Sequence, residues 1–180
     1  MKKRQLAVII AGGLLFFSGM CQAQEHNASV TKTITITATI GDSIFVSRPQ
    51  GGDWYQTVDL AATDGTQQSF ASSIPVQVWS TTPQFNVSLV HPLEIARTDS
   101  AYKMDGVKVK FAGEGSNGKD LGASGAAQTF DQKVQVGNGY QSVYQLKVNA
   151  NAPKSNGNAD TQGLYTGEMV MLFEIAAGSI

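Results

Sequence analysis

The chain has 180 residues, 42% of them apolar and only 15% charged, and its 13 basic and 14 acidic side chains nearly cancel. A chain so balanced, without basic runs, offers no electrostatic footprint for nucleic acid. Two histidines and one cysteine, Cys21, leave little material for a metal centre or a disulfide framework.

Residues 1–23 read as an export signal. Lys2, Lys3 and Arg4 form a basic start, Leu6 to Phe17 an apolar run, and Cys21 and Ala23 place small residues at −3 and −1 of a cleavage site. The run is shorter than the roughly 20 residues that span a bilayer, and no second one follows. Met20 stands where a lipoprotein signal would need a small residue before the cysteine. Cleavage after Ala23 removes three basic residues and no acidic ones, leaving a net charge of −4, and it removes the only cysteine. The exported chain must therefore hold together in an oxidising compartment without a disulfide.

Next comes "SVTKTITITATIGD", Ser29 to Asp42, in which threonines alternate with Ile34, Ile36, Ala38 and Ile40. Successive strand side chains point to opposite faces, so this segment predicts a strand with one apolar and one hydroxylated side. At about 3.3 Å per residue, residues 30–40 would extend roughly 36 Å, the length of a sandwich domain. Apart from Lys32 it carries none of the charges, prolines or bulges that blunt an edge strand against pairing with another chain. It is either an ordinary first strand or one donated to a neighbouring subunit.

The same period of two returns at Ile74, Val76 and Val78, at Phe85, Val87 and Leu89, and at Val107, Val109 and Phe111. Val134 and Val136 follow, then Tyr144, Leu146 and Val148. The final run sets Met169, Met171, Phe173 and Ile175 opposite Glu168 and Glu174. Glycine-rich and polar turns separate these runs, and outside the signal no window shows a 3.6-residue stripe. The pattern predicts one all-β domain, an antiparallel β-sandwich.

Chemical motifs are few. "GEGSNG", Gly113 to Gly118, matches the dinucleotide fingerprint in letters, but more glycine and no amphipathic helix follow it, so it reads as a hairpin loop. His91 precedes Pro92 at the end of a strand pattern and reads as a turn residue. No G-x-S-x-G elbow marks a nucleophile, so neither an enzyme nor a cofactor is expected. Trp54, Tyr55 and Trp79 could stack on a sugar, which leaves a secreted carbohydrate-binding domain as the alternative function. Trp79 falls out of phase with Ile74, Val76 and Val78 and is expected to face solvent or a partner; packing or a subunit interface is favoured over a glycan site.

Over essentially the whole exported chain the sequence resembles the major pilin subunits of the CS1/CFA/I type, assembled by the alternate chaperone–usher pathway, and three stretches carry the resemblance. They are "TKTITITATI" after the signal, "VKVKFAG" (Val107 to Gly113) and "GLYTGEMVMLFEI" (Gly163 to Ile175). The resemblance implies an immunoglobulin-like sandwich that lacks its final strand and is completed by a neighbour's N-terminal segment. It implies three parts: signal 1–23, donor segment 24–41 and pilin domain 42–180. Val30, Ile34, Ile36, Ala38 and Ile40 would be the donor residues, and Met169, Met171, Phe173 and Ile175 part of the acceptor groove. The implied partners are identical subunits, a periplasmic chaperone and an outer-membrane usher, with a tip adhesin and host glycans as further candidates. The implied destination, reached through the periplasm, is an adhesive surface fimbria. The family commonly follows the donor strand with an acidic residue and a proline; this chain reads "GDSI", Gly41 to Ile44.

Overall fold

The computed structural model describes residue 35 and residues 41–122, 126–154 and 160–177. The signal segment 1–23 and the donor residues Val30, Ile34, Ile36, Ala38 and Ile40 lie outside the described residues. The structure described below belongs to the compact unit Thr39–Ile180.

The backbone of the fold is a pair of long antiparallel strands, β3 (Ser69–Ser80) and β10 (Gly139–Asn151), in register from Tyr140 opposite Ser80 to Asn151 opposite Ser69. Their alternation does what the sequence predicts. Val76, Val78, Tyr144, Leu146 and Val148 point inward and are buried, while Gln77, Trp79, Val143 and Lys147 occupy the other face. β1 (Ile44–Ser47) flanks β3, and β6 (Asp105–Ala112) flanks β10, bringing Val109 opposite Val148 and Phe111 opposite Leu146. Two-residue strands β2 (Ala61–Ala62), β7 (Lys119–Asp120) and β9 (Gln135–Val136) complete this sheet. The "GEGSNG" stretch is indeed the β6–β7 loop, closed by the Ser116 N–H donating to Gly113 O at 3.1 Å.

The second sheet has the order β12 (Met171–Ile175), β4 (Gln84–Leu89), β8 (Gln128–Asp131). Its inward residues Phe85, Val87, Leu89 and Phe130 are buried. The sheets are joined by aromatic rings. Phe111 stacks on Tyr144 at 4.9 Å and meets Phe130 edge-on at 5.1 Å, and Phe85 meets Tyr144 edge-on at 5.3 Å. Such pairs add about 0.5–1.5 kcal/mol each beyond the area they bury. With no cysteine beyond Cys21, this packing is what holds the domain together. A further two-stranded piece pairs β5 (Ala96–Arg97) with β11 (Tyr165–Thr166).

One expected strand differs. Val134 and Val136 alternate like core residues, yet they are 59% and 43% exposed, and β9 is only the short arm of a hairpin with β10. The turn at Gly137, with φ of +60°, folds the chain back before a longer strand can form. Trp79, as expected from its phase, lies on the outer face.

Candidate functional site

The last strand is built by strict alternation. Met169, Met171, Phe173 and Ile175 are half-buried, while Glu168, Val170, Leu172 and Glu174 are exposed. Met171 lies opposite Leu89, Phe173 opposite Val87 and Ile175 opposite Phe85 on β4. Met169, Met171 and Phe173 pack against the buried core, so the structure brings these three together on one face. Among the described residues, β12 pairs with β4 on one edge and with no strand on the other.

The other sheet ends in the same way on the same side. Among the described residues β1 pairs with β3 only; it turns Ile44 and Val46 inward against the core and lies next to β12. Among the described residues each sheet thus presents a strand edge without a strand partner, and the two edges lie side by side along an apolar seam, the slot. Unpaired strand edges expose N–H and C=O groups that need a partner, which makes this slot the candidate site.

Beyond Ser47 the wall of the slot is made differently. β1 covers β3 from Gln77 to Ser80 and β2 covers Phe70 and Ala71, leaving a gap on that edge of β3. Pro75 falls in this gap, where its missing N–H costs no ladder bond. Tyr55 fills the gap, its hydroxyl donating to Pro75 O at 2.8 Å and its ring lying under the Arg48 guanidinium at 4.3 Å. The neighbouring Trp54 sits edge-on to Tyr55 and reaches across to Phe173 at 6.3 Å. Trp54 is therefore a packing contact that bridges the two edges. It is 40% exposed. Trp79 is elsewhere, on the outer face of the large sheet, tilted against Phe45 at 5.5 Å with its indole N–H donating to Val136 O at 3.4 Å.

At the Met169 end the slot opens into a cleft of about 1150 Å³. Ile74, Leu146 and Val148 from the inner face of β3 and β10 form its floor, and Leu60, Leu93 and Met169 also line it. One wall is the Trp54–Leu60 stretch and the other is 161–167. Arg97 fixes the second wall. Its Nη1 donates to Asp160 O at 2.9 Å and to Gln162 O at 2.7 Å, and its Nε and Nη2 donate to the Asp99 carboxylate at 2.5 and 3.2 Å. That hydrogen-bonded pairing holds the Asp99 carboxyl below its ordinary value and raises Arg97. Gly163, with φ of +154° and an ideal Cβ position 2.8 Å from Arg97 Cδ, lets the wall pass this close. The sequence reading missed Trp54 as a bridge, Arg97, and the inward pair Ile44 and Val46. Ile44 and Val46 alternate with Phe45 and Ser47, so a period-of-two signal was present there.

Among the described residues no group of three or more His, Cys, Asp or Glu side chains is placed to hold a metal ion. His91 is exposed, its Nδ1 3.2 Å from Pro92 O.

Among the described residues the chain folds as a two-sheet antiparallel sandwich with two adjacent strand edges left unpaired. The chain matches the model of the CS1 type fimbrial major subunit over residues 30–174 and belongs to that family. It is a pilin subunit of a surface fimbria. Its fold is similar to that of the CooA pilin subunit from enterotoxigenic Escherichia coli, with a TM-score of 0.61 at 21% identity, covering 74% of this chain and 88% of that one. It also matches a chain from a chaperone–tip adhesin complex described as vital for synergistic activation of CFA/I fimbriae biogenesis. There the TM-score is 0.43 at 13% identity, covering 76% of this chain and 44% of that one. Among curated proteins no significant sequence match is found.

Proposed function

We propose that subunits couple by strand donation: residues 30–40 of one copy enter the slot between β1 and β12 of the next. The observation that carries this reading is the pair of adjacent edges, unpaired among the described residues, above a half-buried apolar face, Met169, Met171 and Phe173 with Ile44 and Val46. A strand in the slot would supply hydrogen-bond partners to both edges and cover that face, and main-chain pairing plus alternate side chains is how added strands gain affinity and register. Val30, Ile34, Ile36, Ala38 and Ile40 are the donor residues. Met169, Met171, Phe173 and Ile175 are the acceptor. The strand runs antiparallel to β12, so its C-terminal residues lie at the Met169 cleft and its N-terminal residues at Ile175.

The division into signal 1–23, donor segment 24–41 and pilin domain 42–180 follows from this reading. So does passage through the periplasm, where a chaperone covers the slot until an outer-membrane usher exchanges it for the next subunit's strand. The role is structural, a homopolymeric shaft that supports adhesion, with a tip adhesin and host glycans as its outer partners.

The test uses two neighbouring substitutions on opposite faces. Ile36→Asp buries an unpaired carboxylate in the neighbour's slot, costing several kcal/mol, whereas Thr35→Asp changes the other face. Fibres should vanish in Ile36→Asp and persist in Thr35→Asp, with folded, chaperone-bound subunit present in both. Loss of chaperone-bound Ile36→Asp along with the fibres would instead place the strand within its own domain.

A further inference from the structure

Arg97 does more than close a surface turn. We propose that it is a latch holding the wall of the Met169 cleft in the shape the incoming strand reads, a positioning residue for subunit coupling; this rests on the strand-donation reading above. The argument begins with how the wall is held. Between Asp160 and Leu164 the chain runs along the cleft before pairing with β5, and that pairing covers only Tyr165 opposite Arg97 and Thr166 opposite Ala96. Within the stretch, the Gln162 N–H donates to Asp160 Oδ1 at 2.8 Å and the Tyr165 hydroxyl donates to Thr161 O at 2.7 Å. Both bonds are internal. Among the described residues, the hydrogen bonds that tie Asp160 and Gln162 to the rest of the domain are the two from Arg97 Nη1.

Arginine suits this position chemically. Two main-chain carbonyls and a carboxylate must be met from one side chain in fixed directions, which a planar guanidinium with five N–H donors can do and a lysine ammonium on a flexible stem cannot. The Arg97 side chain is 17% exposed and Asp99 is 70% exposed. The exposed carboxylate therefore adds little binding strength of its own and serves to orient the fork. The two carbonyl bonds, made from a guanidinium that is itself largely covered, set the position of Thr161, Gln162 and Gly163, which line the cleft a few residues before acceptor residue Met169. Loosening them lets the wall move relative to β12.

The consequence is local to one end of the donated strand. Ala38 and Ile40 meet the latched wall; Val30 and Ile34 meet the far end near Ile175. A residue that merely stabilised the domain would weaken both ends alike.

The experiment is a pair of double-mutant cycles on assembled fibres, read as the midpoint of heat dissociation. Ile40→Ala and Ile34→Ala are each combined with Arg97→Ala, and with Arg97→Lys as a second background that keeps the charge without the fork. The latch predicts that the downward shift caused by Ile40→Ala shrinks to less than half in either Arg97 background, while the shift caused by Ile34→Ala stays the same. Equal effects on both shifts, or none on either, would overturn it. If neither Arg97 variant assembles, the same cycles are read by thermal unfolding of the mature chain carrying residues 29–41 appended after Ile180. If neither isoleucine substitution alone lowers the midpoint in fibres with Arg97 intact, strand donation itself fails, an outcome distinct from failure of the latch.

Discussion

Phe173 on the last strand meets Phe111 of the opposite sheet edge-on, ring centroids 5.8 Å apart and planes at 74°. Through this contact the strand at the open edge is tied to the aromatic cluster of Phe111, Tyr144, Phe130 and Phe85. Phe173 therefore serves two surfaces: its inner part belongs to the subunit's own core and its exposed part to the slot.

Phe173→Ala should destabilise the subunit by about 2–3 kcal/mol, below the full cost of about 3–5 for deleting a buried phenylalanine because Phe173 is only half-buried. Urea unfolding of a strand-completed subunit measures it. A loss under roughly 1 kcal/mol would mean that the ring contacts contribute little and that the open edge is held by backbone pairing alone.

Gly139→Ala should be costly for a different reason. An ideal Cβ there would lie 2.5 Å from Ser80 O and 2.6 Å from the Trp79 ring, so either the β3–β10 register or the indole must move. Overpacking of this kind costs about 1–3 kcal/mol. Adding Trp79→Ala should recover part of the loss, since the ring is one of the two obstacles and the backbone carbonyl remains. The melting temperatures of the two single variants and the double variant check this; strictly additive losses would contradict it.

Tyr144 gives the fold a weakness at high pH. Burial pushes its hydroxyl up to about 12, and the nearby Asp131 charge acts in the same direction. The folded value is above the unfolded value of 10, so the folded state favours the protonated form. That contribution is fully present below pH 10 and is lost as pH rises from 10 to about 12. Two units correspond to roughly 2–3 kcal/mol. Tyr144→Phe should flatten the alkaline decline measured by denaturation between pH 9 and 12. It should also cost about 1 kcal/mol at pH 7 through the lost bond to Asp131 O, 3.0 Å in the native subunit. An unchanged alkaline slope would contradict the assignment.

Much of the sandwich was legible because long strands advertise themselves. Ile74 to Val78, Phe85 to Leu89, Val107 to Phe111 and Tyr144 to Val148 each place apolar side chains at every second position, and each became a core strand. Val134 and Val136 carry the same letters and stay exposed, because two residues of alternation cannot be told from a hairpin arm. The slot was legible only on the β12 side. Its second edge depends on β1 lying beside β12, a relationship over more than 120 residues of chain that leaves no local trace. Arg97 was invisible for the same reason. Its carbonyl partners are 63 and 65 residues away, and main-chain acceptors have no sequence signature at all. The donor residues Val30 to Ile40 rest on sequence alternation and on the resemblance alone.

The most direct measurement asks whether the domain is complete without that segment. Two chains are compared by size and by thermal unfolding: one beginning at Gly41, and the same chain with residues 29–41 appended after Ile180. Without a strand the slot leaves a long apolar face exposed, and exposed patches of that kind drive association. The account predicts that the first chain aggregates or forms mixed oligomers and that the second is a stable monomer. A well-behaved monomer from the first chain, no less stable than the second, would contradict it.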